Sequence, residues 1–292
     1  MAELQLVVDQ KATLGEGPCW DADQGVLYWV DIMKKRIHIF SPSKGVNETI
    51  QLEEYVGAVV VKEGEGLLVA LTDGIYELDK KTDDITPVAL PIGEDSDTRF
   101  NDGKCDPMGR FWAGTMHFDG DEHKGNLYCL MNNQELKKRI GGVTISNGLA
   151  WDVDLNKMYF NDSPTRNVYQ FDYNSESGEI TNQKVAIKIP KDAGIPDGMT
   201  IDNDGMLWVA CWGGGHVLHC NPKTGEIVSK IEVPATNVTS CTFGGEKMDE
   251  LYITTARLGI SEEELKKEPN AGGLFRMKLN VKGAPSYKFK QI

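Results

Sequence analysis

The chain has 292 residues, a formal net charge of −13 and 40% hydrophobic residues, so it can bury a large core and is too apolar to be disordered. The acidic charge argues against nucleic acid and anionic membranes as partners. Residues 1–6 carry no basic segment, and no apolar run approaches the ~18 residues of a membrane span. We therefore expect no signal peptide, no membrane contact and a cytoplasmic location.

The chain reads as short strands separated by turns rich in Gly, Asp and Asn. Residues 4–9 alternate apolar and polar side chains, which predicts a first strand. Repeats of roughly 40 to 50 residues follow, each with about four strands. They begin near Gly15, Gly57, Asn101, Asn147, Asp197 and Ser240. Tight bends are predicted at Asp23-Gln24-Gly25, Pro107-Met108-Gly109 and Asn203-Asp204-Gly205.

This periodicity predicts an all-β fold, a six-bladed β-propeller that residues 1–292 form as a single domain. The first strand should close the ring by pairing with the last blade, which removes open sheet edges. Residues 261–268 predict a short helical insertion in the sixth repeat. The six cysteines are scattered and are predicted to be free thiols, with Cys211 and Cys220 as the one pair that could meet across a hairpin.

Four of the repeats open with a polar residue that a glycine follows within two positions: Glu16, Asn101, Asn147 and Asp197. The first strand of each propeller blade lies nearest the axis, so these positions should converge at one mouth of the central channel. Carboxylates that meet there would repel one another without a cation. The pattern predicts one metal site in the central channel, with Glu16, Asn147 and Asp197 as ligands. The alternative is that these residues only stabilise turns.

An all-oxygen ligand set suits calcium, magnesium or manganese better than zinc. We expect one divalent metal ion, calcium first, with zinc, magnesium or manganese as the alternatives. Such a metal would polarise a carbonyl group. Asp197 would act both as ligand and as the general base that activates water. These residues therefore indicate metal-assisted hydrolysis of a small molecule.

Several sequence blocks resemble the senescence marker protein 30 / gluconolactonase / luciferin-regenerating enzyme family, which includes the regucalcins. The blocks are Leu14-Gly15-Glu16-Gly17-Pro18, Arg99-Phe100-Asn101-Asp102-Gly103-Lys104, Trp112-Ala113-Gly114-Thr115-Met116, Ser146-Asn147-Gly148-Leu149-Ala150-Trp151, Ile195-Pro196-Asp197-Gly198-Met199 and Ala271-Gly272-Gly273-Leu274-Phe275. The resemblance runs essentially end to end. It implies a six-bladed propeller with one catalytic metal in its channel and hydrolysis of sugar lactones.

The resemblance also assigns residues to the substrate. Arg99 and Asn101 match positions that line the family's substrate pocket, and Asp102 is expected to support the metal ligands. Asp119 stands where some members have a substrate-contacting glutamate, in a segment (117–125) that is shorter here and is expected to form a partial lid. His117 and His123 in that segment are predicted to be surface residues.

The first hypothesis is therefore a gluconolactonase-like lactonase, a carboxylic ester hydrolase that acts on a sugar lactone as a monomer or weak homodimer. One alternative is a calcium-binding regulatory protein without significant catalysis. Another keeps the metal site and changes the substrate to other esters or to phosphotriesters. The sequence leaves open both the native metal and the substrate.

Overall fold

The structure, a computed structural model, describes residues 3–91, 93 and 96–291. Within them, strands form six antiparallel sheets of four strands each, which are the blades of a propeller. Blade one contains β2 (Gly15–Asp21), β3 (Val26–Asp31), β4 (Arg36–Ser41) and β5 (Val46–Gln51). Blade two contains β6 (Ala58–Val61), β7 (Leu67–Ala70), β8 (Ile75–Leu78) and β9 (Ile85–Ala89). Blade three contains β10 (Thr98–Cys105), β11 (Phe111–His117), β12 (Gly125–Leu130) and β13 (Leu136–Val143).

The remaining blades follow the same order. Blade four contains β14 (Ser146–Asp152), β15 (Lys157–Asp162), β16 (Asn167–Tyr173) and β17 (Ile180–Lys188). Blade five contains β18 (Ile195–Ile201), β19 (Leu207–Trp212), β20 (His216–Asn221) and β21 (Glu226–Glu232). Blade six contains β22 (Asn237–Gly244), β23 (Glu250–Ala256), β24 (Leu274–Lys278) and the N-terminal strand β1 (Gln5–Val8).

The N-terminal strand closes the ring. β1 pairs antiparallel with β24, and Gln5 lies opposite Arg276 while Leu6 lies opposite Phe275. This pairing gives β24 a neighbour on its outer side, so the first and last parts of the chain hold the same sheet together. The predicted all-β, six-bladed propeller and its mode of closure are confirmed.

The hairpin turns form where the glycine signals predicted them. Gly25, Gly109 and Gly205 adopt φ angles of 63°, 77° and 76°, which favour glycine. In the last of these turns, Asp202 accepts hydrogen bonds from the amides of Asp204 (3.0 Å) and Met206 (2.9 Å) and from the indole N–H of Trp208 (2.9 Å). One buried carboxylate thus fixes both the turn and the strand that follows it.

Apolar side chains fill the spaces between blades, while the outermost strands alternate towards solvent. The first strands of all six blades are buried along nearly their whole length. Five tryptophans are buried between the blades, namely Trp20, Trp29, Trp112, Trp151 and Trp208. Trp212 is half-buried and lies at the end of β19, on the face of the ring where the first strands begin.

The last residues of the chain cross the opposite face of the ring as a strap, defined here as residues 280–291. The amide of Ala284 donates to Ile201 O (3.0 Å) in blade five. Further along, the amide of Phe289 donates to Val61 O (2.8 Å) in blade two, and that of Lys290 donates to a carbonyl in blade three. Phe289 is buried at 1% exposure. The strap therefore ties blade six to blades on the other side of the ring.

The strap also covers the end of the central channel. A residual cavity of about 30 Å³ there is lined by the final residues of first strands from blades three to six and by strap residues. Those strap residues are Ala284, Pro285, Ser286 and Tyr287. The channel is therefore closed at this end, and the other end faces the polar residues singled out in the sequence.

The one α-helix among the described residues, α1 (Glu262–Leu265), lies in the predicted insertion of blade six and is shorter than the predicted 261–268. Ser261 and Glu264 form a reciprocal capping box, with the Glu264 amide donating to Ser261 Oγ (3.3 Å) and the Ser261 amide donating to Glu264 Oε2 (3.0 Å). No helix in the part of the chain that the structure describes is long and apolar enough to span a bilayer.

All six cysteines are free, as predicted. Cys211 and Cys220 lie on the neighbouring strands β19 and β20, but Cys211 is opposite His216 and Cys220 is opposite Leu207. The two thiols therefore lie near opposite ends of the hairpin, which rules out a bond between them.

Candidate metal centre and active site

A break in strand pairing occurs beside each polar residue that the sequence singled out. The register between the first and second strands shifts from Glu16 to Cys19, from Phe100 to Gly103, from Asn147 to Leu149 and from Pro196 to Met199. Such bulges redirect side chains and are common beside active sites. Here they turn one polar residue of each strand towards the channel.

The glycines beside these residues allow neighbouring blades to approach closely. A Cβ atom on Gly148 would lie 2.7 Å from Asp197 O, and one on Gly198 would lie 2.0 Å from Ser240 Oγ. Neither distance is sterically permitted. Asn147 and Asp197 are the second residue of β14 and the third residue of β18, so both belong to the strands themselves.

Two carboxylates meet at the open end of the channel. Glu16 and Asp197 are 5% and 6% exposed, and they lie close enough for each carboxyl group to act on the pKa of the other. Glu16 Oε2 also accepts from the amide of Gly17 (2.9 Å), whereas Asp197 Oδ1 is buried without a partner. An unpartnered buried carboxylate oxygen is costly, so this position calls for a proton or a cation.

The raised pKa values of Glu16 and Asp197 also indicate that this position needs a proton or a cation. Burial, followed by the charge of Asp102, raises the pKa of Glu16 to about 8. Burial, followed by the charge of Glu16, raises the pKa of Asp197 well above its usual value. Without a cation the site therefore retains protons near neutral pH, because two desolvated carboxylates cannot both ionise cheaply.

A chain of hydrogen bonds links the neighbouring polar residues. Arg99 Nη1 donates to Asn101 Oδ1 (2.8 Å), and Asn101 Nδ2 donates to Asn147 Oδ1 (3.1 Å) and to Ser146 O (2.9 Å). Asn147 Nδ2 in turn donates to Ser163 Oγ (2.8 Å). These bonds fix Asn147 Oδ1 as an acceptor, and its second lone pair remains for a ligand.

Arg99 and Asp102 complete the charged groups around the pair. Burial lowers the pKa of Arg99 to about 10, so its guanidinium is protonated at neutral pH, and Glu16 acts to raise that pKa. Asp102 Oδ1 accepts from the amide of Gly103 (2.8 Å), and burial raises the pKa of Asp102, which the charge of the half-buried Lys104 opposes. Asp102 therefore acts on the site through its effect on Glu16 and Asp197.

These side chains share a cavity of about 250 Å³. Its lining comprises Leu14, Glu16, Arg99, Asn101, Met116, Ile145, Asn147, Ser163, Ile195, Pro196, Asp197, Trp212 and Leu258. The structure thus brings together the predicted ligands Glu16, Asn147 and Asp197 with Arg99 and Asn101. Asp119 is exposed and is not among the lining residues.

The loop that carries Asp119 contacts the propeller beside the cavity. The ring of Phe118 packs against that of Tyr55 at 5.7 Å between centroids, and Tyr55 acts electrostatically on Arg99. His123 is exposed as predicted, but the surface prediction is wrong for His117. His117 ends β11, is 8% exposed, and its Nδ1 accepts from the amide of Asp119 (3.2 Å).

Sequence reasoning missed Ser163 and most of the apolar lining. Leu14, Ile145 and Ile195 each lie two residues before a predicted metal ligand. Side chains two apart in a strand share a face, so this spacing was the available signal. No sequence signal marks Ser163, because it lies in the connection after β15 and comes close to the site only when the chain is folded.

The residues present fit a divalent cation bound through oxygen. No group of three His, Cys, Asp or Glu side chains suited to a metal occurs among the described residues. The third protein oxygen would therefore come from the carboxamide of Asn147. With the carboxylates of Glu16 and Asp197, this gives the hard oxygen donors that calcium, magnesium and manganese favour. The unpartnered Oδ1 of Asp197 provides an open ligand position.

Comparison with known proteins agrees with the fold and the family resemblance. The family model described as "SMP-30/Gluconolactonase/LRE-like region" matches residues 14–257. The Bacillus subtilis (strain 168) protein named "Putative sugar lactone lactonase YvrE" is 40% identical over 278 residues, which cover 95% of each chain.

Two solved structures extend the comparison. The structure of a luciferin-regenerating enzyme superimposes with a TM-score of 0.92 at 32% identity, covering 99% of this chain and 100% of that one. A regucalcin from Agrobacterium tumefaciens, described as a calcium-binding protein, superimposes with a TM-score of 0.94 at 25% identity, covering 99% and 98%. The matched length, the identity and the shared fold together place this chain in the SMP-30/gluconolactonase/LRE-like family.

Proposed function

We propose that this protein is a divalent-metal-dependent hydrolase that opens lactone rings, with Glu16, Asn147 and Asp197 as metal ligands. The observation that carries the proposal is the buried contact between Glu16 and Asp197, with one Asp197 oxygen unpartnered, inside a cavity that also holds Arg99. The family and the name of the Bacillus subtilis relative support lactone hydrolysis.

Glu16 and Asp197 would have different roles in the reaction. A bound divalent cation would supply positive charge that polarises the ester carbonyl and stabilises ionised Glu16 and Asp197. Asp197 would accept a proton from water as the water oxygen bonds to the carbonyl carbon. The ring C–O bond then breaks, and the departing oxygen takes that proton, so the product is a hydroxy acid.

Two other groups position the substrate. Arg99 carries a positive charge in a buried setting, where a planar set of N–H donors suits a carbonyl or carboxylate oxygen. Asn101 would hold the orientation of Asn147 through its 3.1 Å hydrogen bond to Oδ1. The contact between Asp119 and the substrate remains a prediction. It requires the loop after β11 to move over the cavity.

The test uses purified protein that has been treated with chelator and then given calcium, magnesium, manganese or zinc separately. Hydrolysis of δ-gluconolactone is followed with a pH indicator. Metal should restore turnover, and Asp197→Asn should lower kcat at least about a hundredfold. Asp204→Asn, in an exposed hairpin turn, is the matched control and should retain activity.

Full activity in Asp197→Asn would rule out the proposed role of that residue. Tight calcium binding without turnover of any lactone would instead favour the calcium-binding regulatory alternative. That outcome is worth measuring, because the Agrobacterium tumefaciens regucalcin is described as a calcium-binding protein.

A further inference from the structure

The cavity at the candidate site is largely walled by apolar side chains. Three pairs from neighbouring chain segments form this wall. Met116 forms a bridge with Ile145 between blades three and four, and Ile195 lies opposite Trp212 within blade five. The third pair, Leu14 and Leu258, comes from the two sides of the junction between blades one and six, where the amide of Leu258 donates to Thr13 O (2.9 Å).

Leu14 belongs to the buried core, whereas the other five apolar residues of the wall are more exposed. Met116, Ile145, Ile195 and Trp212 are only half-buried, and Leu258 is 37% exposed. Partly exposed apolar side chains that converge on one cavity are the usual lining of a site for a small molecule. The wall therefore offers an apolar group a surface from which it would displace water.

Two polar side chains of the cavity, Asn101 and Asn147, direct their amide groups to neighbouring residues. Asn101 uses its carbonyl oxygen to accept from Arg99 and its amide to donate to Asn147 and Ser146. The amide group of Asn147 donates to Ser163. Hydroxyl groups placed against the apolar wall would lose their hydrogen bonds to water without gaining partners, which opposes binding.

We infer that the pocket takes a lactone whose ring carries an apolar substituent, such as an alkyl chain, in preference to a polyhydroxylated sugar lactone. The polar edge of the cavity would face the ester group, and the wall formed by the three apolar pairs would face the substituent. This inference rests on the proposed lactone hydrolysis and defines the substrate class at the same site.

The test compares two lactones with the same six-membered ring. δ-Gluconolactone carries hydroxyl groups, whereas δ-decanolactone carries a pentyl chain. With the restoring metal present, kcat/KM for δ-decanolactone should be at least about tenfold higher, as expected for burial of a short alkyl chain. A kcat/KM for δ-gluconolactone equal to or above that for δ-decanolactone would overturn the inference and leave the proposed hydrolysis standing.

A variant locates the preference in the wall. Ile195→Asn should lower the ratio of the two kcat/KM values about tenfold, mainly through a higher KM for δ-decanolactone. Val228→Asn is the matched control, because Val228 is an exposed apolar residue of the outer strand β21. An unchanged ratio of the two kcat/KM values in Ile195→Asn would exclude the wall as the origin of the substrate preference.

Binding without turnover separates this inference from the proposed function. The lactam that carries the same pentyl chain, 6-pentylpiperidin-2-one, resists hydrolysis and should change the tryptophan fluorescence of the wild type but not of Trp212→Phe. Such binding without hydrolysis of any lactone would overturn the proposed function and support the apolar ligand class. Hydrolysis of δ-gluconolactone without lactam binding would overturn the inference alone.

Discussion

Asn101 Nδ2 donates a 3.1 Å hydrogen bond to Asn147 Oδ1, which joins a predicted substrate residue to a predicted metal ligand. The same amide group donates to Ser146 O (2.9 Å), so Asn101 holds both the backbone and the side chain of blade four. Hydrogen-bonding partners of metal ligands orient those ligands, and their loss weakens metal binding. Asn101 should therefore influence metal affinity without being a ligand itself.

Asn101→Ala should weaken calcium binding by about 10- to 100-fold, because Asn147 loses the donor that orients its carbonyl oxygen. Calorimetric titration of the chelator-treated protein measures this change. Asn133→Ala, at an exposed position in the turn after β12, should bind as the wild type does. Equal affinities for Asn101→Ala and the wild type would show that Asn147 is held by other contacts.

Metal affinity should rise with pH. The pKa of Glu16 is raised to about 8 and that of Asp197 is also raised, so metal must displace protons at neutral pH. If one proton is displaced, the association constant should rise about tenfold per pH unit below about pH 8 and then level off. Titrations in buffers with different ionisation enthalpies count the released protons. An affinity that does not change over this range would contradict the raised pKa values.

The free energy of unfolding should fall on mild acidification because of His38. Burial lowers the pKa of His38 to about 4, and its ring lies tilted against that of Trp29 at 4.4 Å between centroids. The unfolded chain, with a histidine pKa near 6.5, binds the extra proton first. The stability from this group is therefore present above about pH 6.5 and is lost as pH falls towards about 4.

At pH 5, His38 should account for a loss of about 2 kcal/mol in the free energy of unfolding relative to pH 7.5. Urea denaturation at both pH values measures this loss. His38→Gln should show a smaller difference between the two pH values. His123→Gln, which changes an exposed histidine, should keep the wild-type difference. The same pH dependence in His38→Gln would assign the loss to other groups.

Gly148→Ala should disturb the contact between blades four and five. The new Cβ would lie 2.6 Å from Asn161 Nδ2 and 2.7 Å from Asp197 O, and overpacking of this kind costs about 1–3 kcal/mol. Thermal unfolding and calcium affinity should both fall. Gly141→Ala, whose Cβ would meet no atom closer than 3.4 Å, is the control. Wild-type thermal unfolding and calcium affinity in Gly148→Ala would mean that blades four and five can move apart at little cost.

Phe289→Ala should lower the free energy of unfolding by about 3–5 kcal/mol, because it leaves a cavity under the strap. Phe289 is 1% exposed and packs with residues of blades two and three. Phe118→Ala, at 42% exposure, should cost much less. Urea denaturation of both variants compares the two sites. Equal losses would show that the strap contributes little to the stability of the ring.

The repeated pattern predicted the propeller and the positions of Glu16, Asn147 and Asp197 because each feature recurs at equivalent places along the chain. The turn glycines and the first strand could be identified because each is marked by its own short stretch of sequence. Ser163 could not, since its place beside Asn147 depends on the connection that follows β15. The apolar wall was also missed, because an apolar residue near a strand start is equally typical of a core position.

The closure of one channel end by the strap fixes the route of small molecules. In the proposed reaction, a lactone would reach Asp197 only through the open mouth, and the hydroxy acid would leave by the same path. The negative charge of that product would be attracted by the guanidinium of Arg99. Because product in the channel would block the entry of substrate, the proposed reaction would be inhibited competitively by its own product.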